Sequence, residues 1–237
     1  MEINMLRIAS VIIAVAIVFC TGAVAFGQQV QLRGGGIIYI PNGSAITGSD
    51  EAMMDSVDWD SGNGFDVQAI YWFKDSPWGA GASIGKATWE VDKYSKGNYL
   101  ILNEVEGDAD LTIPGISAFR KLPVGNVLDN KLKANLEAGL RFVSVDSNIK
   151  GMYYQRFSDG ILFQEQEFEI EDSIIAVLAI DATYELGKNF GIFAQVGGQL
   201  DLKKGEVSNS GVTFEDIKAG ETELQALFAK AGIAVNF

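Results

Sequence analysis

The sequence of 237 residues contains no histidine and a single cysteine. Without histidine, every mechanism that uses an imidazole as a base or an acid is excluded. One cysteine cannot form an internal disulfide, and a Cys/His metal site has no ligands. Basic residues are also scarce: 18 Lys and Arg stand against 31 Asp and Glu, for a net charge of −13. Nucleic-acid binding needs clustered Lys and Arg. We therefore expect no cofactor, no metal site and no nucleic-acid partner.

The first 27 residues have the pattern of a secretory signal peptide. A short basic start is followed by an apolar run, Ile8–Phe19, and then by small residues in the A-x-A pattern. We expect cleavage after Ala25 or Gly27. The apolar run is short for a transmembrane helix, which needs about 20 residues. Acylation of Cys20 is disfavoured because a bulky phenylalanine precedes it.

Residues 28–237 are expected to form one domain. They contain about eight stretches in which apolar and polar residues alternate, and no convincing helical period. Short and long connections alternate along them: the short ones lie at 75–77, near 123–126 and at 187–189, and the long ones at 42–62, 92–110, 146–172 and 203–223. This layout is typical of a transmembrane β-barrel. The predicted fold is all-β: an eight-stranded antiparallel up-and-down transmembrane β-barrel with short periplasmic turns and long outer loops.

Aromatic residues mark one end of the predicted barrel. Each lies beside a short turn or at the C-terminus, on the apolar face: Phe73, Trp78, Phe119, Tyr184, Phe190 and Phe237. Such a ring is typical of a barrel at the level of the lipid headgroups. A soluble ligand-binding barrel would be apolar inside and polar outside.

The polar face of the strands is predicted to point into the barrel. It carries six candidate residues for an interior network: Lys133, Glu137, Arg141, Asp181, Glu185 and Lys230. Glu137 and Arg141 lie about 13 Å apart along one strand, so we expect that they cannot contact each other and that each needs partners on other strands. The network either fixes a filled barrel or gates a narrow pore, and both functions use the same residue types.

Two features depart from the simple pattern, and a third feature extends it. Pro114 lies inside the fourth stretch, where its missing N–H predicts a bulge or a lost ladder bond. Trp89 and Val91 fall on the polar face of the third stretch. We therefore expect the membrane span to end near Lys86, and we expect the rule that apolar side chains point outward to lapse beyond it. An Asp-Gly turn at Asp159 predicts a hairpin that extends the fifth and sixth strands.

The segment from Val57 to Asp66 resembles the entry from loop to strand in small outer-membrane β-barrel proteins of the OmpA/OmpX-like and opacity-type group. The ending Ala231–Phe237 is similar to the C-terminal signal that these proteins present to the barrel assembly machinery. The resemblance implies that Ile233, Val235 and Phe237 form an assembly signal. It also implies localisation to the bacterial outer membrane. In contrast to full OmpA, we expect no periplasmic domain after the last strand. Enzymes among such barrels use a catalytic histidine, which this chain lacks, so we expect no enzyme activity.

The four long connections carry most of the charge. Their net charges are −5, −3, −5 and −2, or −15 together, which exceeds the −13 of the whole chain. Outer-membrane lipid and lipopolysaccharide are the expected partners, with divalent cations shared between the loops and lipopolysaccharide phosphates, and an extracellular ligand is a further candidate. A structural or surface-interaction role without catalysis is the leading hypothesis. The alternatives are a narrow porin-like channel for small solutes and a soluble periplasmic ligand-binding barrel.

Overall fold

Nearly all of the described chain is β-strand. The computed structural model describes residues 29–47, 56–91, 94–97, 101–124, 131–157, 160–210 and 218–237, so the proposed signal peptide at 1–27 lies outside the described residues. No helix in these ranges is long and apolar enough to cross a membrane. The strands are β1 Gln29–Pro41, β2 Ser44–Ile46, β3 Val57–Trp72, β4 Trp78–Val91, β5 Tyr94–Gly97, β6 Ile101–Leu122, β7 Leu132–Phe157, β8 Gly160–Ile170, β9 Ser173–Glu185, β10 Phe190–Lys203, β11 Gly205–Ser210, β12 Lys218–Thr222 and β13 Ala226–Asn236.

Eight of these strands close into a barrel. The order around it is β1-β3-β4-β6-β7-β9-β10-β13, and β13 pairs with β1 from Gln31↔Asn236 to Pro41↔Ala226. All of these pairings are antiparallel. The predicted eight-stranded antiparallel barrel is therefore confirmed. The connections at 73–77, 123–131 and 186–189 define its short-turn end, and the opposite end is the long-loop end.

The half of the barrel at the short-turn end is apolar outside and polar inside. The exposed outward side chains form an apolar band: Ile38, Ile40, Phe65, Val67, Ile116, Leu136, Leu140, Phe142, Leu178, Ile180, Ile192, Val196, Leu200, Leu202, Leu227 and Ile233. On β7 the band runs from Leu132 to Phe142, which at roughly 3.3 Å per residue and a tilt of about 40° gives a height of about 25 Å. That height matches the hydrocarbon thickness that outer-membrane barrels cross.

The half at the long-loop end has the opposite polarity, and we call it the outer half. On β4 the side chains of Trp89 and Val91 are buried inside, whereas Lys86 and Glu90 are exposed outside. The expectation that apolar residues no longer point outward beyond Lys86 is therefore confirmed. The alternation continues, but the apolar residues change from the outside to the inside. The outer half is thus built like a soluble barrel.

This reversal corrects one predicted strand. On β6, Leu111, Ile113 and Phe119 all point inward, and Ile116 and Arg120 point outward. The prediction that Phe119 is one of the outward aromatic residues at the end of the barrel is wrong. Its side chain is fully buried in the interior, with its ring centroid 6.2 Å from that of Trp72. Leu111 and Ile113 are apolar although they point inward, because they lie where the interior is apolar. The apolar face of this strand is therefore not the face that points outward.

Pro114 interrupts the ladder between β6 and β7. The paired residues run to Thr112↔Ser144 and resume at Gly115↔Arg141 in the same register. The prediction of lost ladder bonds is confirmed, and no bulge forms at this position. The physical cause is that proline has no N–H to donate to the neighbouring strand.

Short strands continue the barrel wall at the long-loop end. β8 pairs with β7 from Ile149↔Phe168 to Phe157↔Gly160, which confirms the predicted hairpin, although its turn residues lie outside the described ranges. β11 pairs with β8, and β12 pairs with β11. Backbone hydrogen bonds join β12 to the segment of β2: Thr47 N donates to Glu221 O at 2.8 Å, and Glu223 N donates to Ser44 O at 2.8 Å. The outer half is therefore a walled continuation of the barrel.

Candidate functional site in the barrel interior

Glu137 is the centre of a polar cluster inside the barrel. Its side chain on β7 is fully buried and accepts hydrogen bonds from three other strands. Ser117 Oγ donates to Oε1 at 2.6 Å, Gln68 Nε2 donates to Oε1 at 3.2 Å, and Gln195 Nε2 donates to Oε2 at 2.7 Å. Glu137 therefore joins β7 to β6, β3 and β10.

Arg141 forms an ion pair with Glu137, at 2.7 Å between Nη2 and Oε1. The expectation that these two residues cannot contact each other is wrong. Although their backbones are about 13 Å apart along the strand, the long arginine side chain runs back toward the carboxylate. Gly115 on β6 permits this path, because a Cβ at that position would overlap Arg141 Cδ.

Asp181 is paired with Arg33, a residue that the sequence analysis did not include. Arg33 Nη2 lies 2.9 Å from Asp181 Oδ1, and both side chains are fully buried. Arg33 Nε also donates to Gln31 Oε1 at 2.9 Å, and Asn135 Nδ2 donates to Asp181 Oδ1 at 2.9 Å. The sequence feature that could have identified Arg33 is its place on the polar face of the first strand, which points into the barrel.

Lys230 forms the third buried ion pair, with Asp66 on β3. The Lys230 ammonium and the Arg33 guanidinium both lie 5.3 Å from the centroid of the Phe193 ring, one as Nζ and the other as Cζ. Cations placed over an aromatic face are attracted by its quadrupole. We define the interior network as Arg33, Asp66, Glu137, Arg141, Asp181 and Lys230. Its three cations and three anions balance, as confinement away from water requires.

Lys133 and Glu185 do not belong to this network. They form an ion pair with each other at the short-turn end, and 53% of the Lys133 side chain is exposed. Their position near the ends of β7 and β9 explains the difference, since the interior network lies further along the same strands. The sequence pattern predicts that a residue points inward, but it does not predict how far the residue lies from the end of the barrel.

An apolar layer lies in the interior of the outer half. Four rings pack together in it: Tyr39 contacts Trp89 and Phe228 at centroid distances of 5.3 and 6.2 Å, and Trp59 contacts Trp89 at 5.6 Å. Ile46, Leu111 and Leu224 are buried in the same cluster. Between this layer and the interior network lies a cavity of about 30 Å³, lined in part by Tyr39 and Lys230. That volume is enough for about one water molecule.

The remaining candidate residues lie on the outward face. Exposed aromatic side chains surround the short-turn end: Phe73, Trp78, Phe190 and Phe237, with Tyr184 half-buried. Arg120 Cζ lies 5.3 Å from the centroid of the Trp78 ring. On β13, Ile233 is exposed and Val235 is half-buried, and this strand closes the barrel against β1. The roles of these residues at the headgroup level and in assembly stay predictions.

Solved structures share this architecture. The outer membrane protein OprG from Pseudomonas aeruginosa matches the chain with a TM-score of 0.59, at 15% identity over 89% of this chain and 96% of OprG. The chain has the fold of the small outer-membrane β-barrel proteins. Two further matches to this barrel fold are weaker. A major outer membrane protein from Thermus thermophilus has a TM-score of 0.48, at 12% identity over 88% of this chain and 99% of that one. Neisserial surface protein A has a TM-score of 0.44, at 14% identity over 89% of this chain and 97% of that one. No family model and no curated protein matches the sequence of this barrel.

Proposed function

We propose that this barrel is exported to a bacterial outer membrane, where it has a structural or surface-interaction role and neither catalyses a reaction nor conducts solutes. The short-turn end faces the periplasm, and the outer half projects from the cell surface. Lipid and lipopolysaccharide surround the apolar band, and the acidic outer half presents the interaction surface.

The apolar band supports the membrane placement. It encircles the barrel with exposed Leu, Ile, Val and Phe side chains, and a soluble periplasmic barrel would hold such a surface in water at a large free-energy cost. The aromatic residues at the short-turn edge of the band are of the type that favours the lipid headgroup region.

The observation that carries the non-conducting role is that side chains pack across the interior at two successive levels. A balanced set of buried ion pairs fills one level, and the Tyr39, Trp59, Trp89 and Phe228 rings fill the next. An ion would have to shed its hydration to pass the apolar layer, even if the ion pairs rearranged. Eight-stranded barrels have little interior space beyond their own side chains.

Planar-bilayer recording tests this proposal directly. Purified protein, refolded in detergent and added to a bilayer, is expected to give no steady single-channel currents above the lipid baseline. Refolding is verified by the heat-dependent shift in electrophoretic mobility before each recording. Reproducible open channels from the folded fraction would overturn the non-conducting role.

A narrow porin-like channel is the second candidate function. The observation in its favour is the open cavity at the short-turn end, which reaches the level of Asn135 and Thr183 just below the interior network. A gate made of ion pairs alone would complete such a channel. The apolar layer beyond the network is the argument against it.

Two proposed partners use the ends of the barrel. Outward acidic residues of the outer half, among them Asp58, Asp110, Asp146 and Glu169, suit divalent cations shared with lipopolysaccharide phosphates, or an extracellular ligand. At the other end, Ile233, Val235 and Phe237 suit recognition by the barrel assembly machinery, because the first two lie on the strand that closes the barrel and Phe237 follows it directly.

A further inference from the structure

A large cavity lies inside the short-turn end of the barrel, below the interior network. Its volume is about 580 Å³, which falls in the range of small-molecule binding sites. Residues of β1, β3, β6, β7, β9 and β13 line it, together with residues of the short turns. We call it the vestibule. No part of the proposed structural role uses it.

The vestibule is positively charged in a strongly acidic chain. Three lysines line it, Lys121, Lys133 and Lys188, and Glu185 is the one acidic side chain among its described lining residues. Glu185 is neutralised by Lys133. The side-chain charge of this cavity is therefore positive, although the whole chain carries −13. Cations grouped in a concave site raise the local concentration of small anions.

The roof of the vestibule is a set of buried hydrogen-bonding groups. Gln31, Asn135 and Thr183 line the cavity and are each less than a tenth exposed. Arg33 donates hydrogen bonds to Gln31 and Thr183, and Asn135 donates one to Asp181. Arg33 Nη1 and Asp181 Oδ2 are buried and have no hydrogen-bond partner among the described residues. These two residues are not among the described residues that line the vestibule, so the buried groups that face it are those of Gln31, Asn135 and Thr183.

We propose that the vestibule binds a small sugar anion, either a uronate or a sugar phosphate. The lysines would hold the anionic group, and the amides of the lining would bind hydroxyls, since an amide offers both a donor and an acceptor. The volume exceeds what a simple inorganic anion fills. Only the orientation of the site toward the periplasm rests on the proposed function. The bound sugar stays on one side because the interior network closes the cavity.

Isothermal titration of the refolded full chain in neutral detergent at low salt tests the binding. The probes are glucuronate, glucose 6-phosphate, neutral glucose and inorganic phosphate. We expect at least one sugar anion to bind with a Kd below about 10 mM, and glucose and phosphate to bind at least about tenfold more weakly. The tighter of the two sugar anions identifies the anionic group. Equal affinity for glucose, or no binding of either sugar anion, would overturn the proposal.

Charge-removing variants locate the site. Lys121→Gln and Lys188→Gln should each weaken binding by about two- to fivefold, and the double variant by about tenfold. Lys203→Gln, an exposed lysine at the long-loop end, is the matched control and should leave the affinity unchanged. All variants must keep the heat-dependent mobility shift of the folded barrel. Affinity that is equal in the double variant and the control would place the sugar elsewhere and refute the assignment. Conductance plays no part in this test, so its failure is separable from failure of the closed-barrel proposal.

Discussion

Glu137 Oε1 lies 2.7 Å from Arg141 Nη2, although the two residues are four positions apart on one extended strand. The contact is made inside the barrel, where Glu137 is also hydrogen bonded to Ser117 and Gln195. Because Glu137 bonds to three other strands, its carboxylate fixes their relative positions. Removal of the Glu137 carboxylate would leave the Arg141 cation buried without its partner.

The first prediction concerns this buried pair. Glu137→Ala should lower the free energy of unfolding by about 3–5 kcal/mol, because it leaves an uncompensated buried charge. The matched control is Lys133→Ala, which removes the partly exposed pair with Glu185 and should cost at most about 1 kcal/mol. Urea titrations of both variants in lipid vesicles measure the difference. Similar losses in the two variants would show that Glu137 is not central.

The second prediction tests the reversal of polarity along the barrel. Leu136→Arg on the apolar band should cost about 2–4 kcal/mol, as expected for arginine near the bilayer midplane. Asn148→Arg lies on the same outward face of β7, but in the outer half, where it is exposed to water. We expect it to change the free energy of unfolding by less than about 0.5 kcal/mol. Equal losses of unfolding free energy in the two variants would contradict an apolar band that ends near Phe142 on β7.

The third prediction concerns the two closures of the interior. Trp89→Ala removes a fully buried ring from the apolar layer and should destabilise the barrel by about 3–5 kcal/mol. Its conductance should stay at baseline because the interior network below is intact. Glu137→Ala alone should also stay closed, because the apolar layer remains. Only the double variant is expected to give measurable currents in planar bilayers. Currents from Glu137→Ala alone would instead identify the ion pairs as the sole barrier.

The sequence predicted the barrel well because alternation and connection lengths report strand number and closure directly. It failed on Phe119 for a physical reason. Alternation identifies two faces, but only the surrounding medium decides which face is apolar, and that medium changes along each strand from lipid to water. Phe119 shares its face of β6 with Leu111 and Ile113, and these two are apolar because they lie beyond the change. Partners across the lumen, such as Arg33 with Asp181, depend on which strands face each other and are not encoded in local spacing.

The fourth prediction concerns the acidic surface of the outer half. Asp110 and Asp146 face each other across β6 and β7, and Glu90 faces Asp108 across β4 and β6. Like charges directly opposite on neighbouring strands destabilise a sheet. A divalent cation relieves this repulsion more effectively than sodium at the same ionic strength. Millimolar Mg²⁺ should therefore raise the unfolding temperature of the refolded barrel, whereas matched NaCl should raise it less.

Charge removal assigns the Mg²⁺ effect to these residues. Asp146→Asn should raise the unfolding temperature in the absence of Mg²⁺ and reduce the further rise that Mg²⁺ produces. Asp75→Asn removes an equal charge at the short-turn end, where asparagine suits the positive φ of 55°. This control should leave the response to Mg²⁺ unchanged. If the two variants respond alike, the cation acts through the net charge of −13 rather than through facing carboxylates, and the case for cation-bridged lipopolysaccharide at the outer half loses its structural basis.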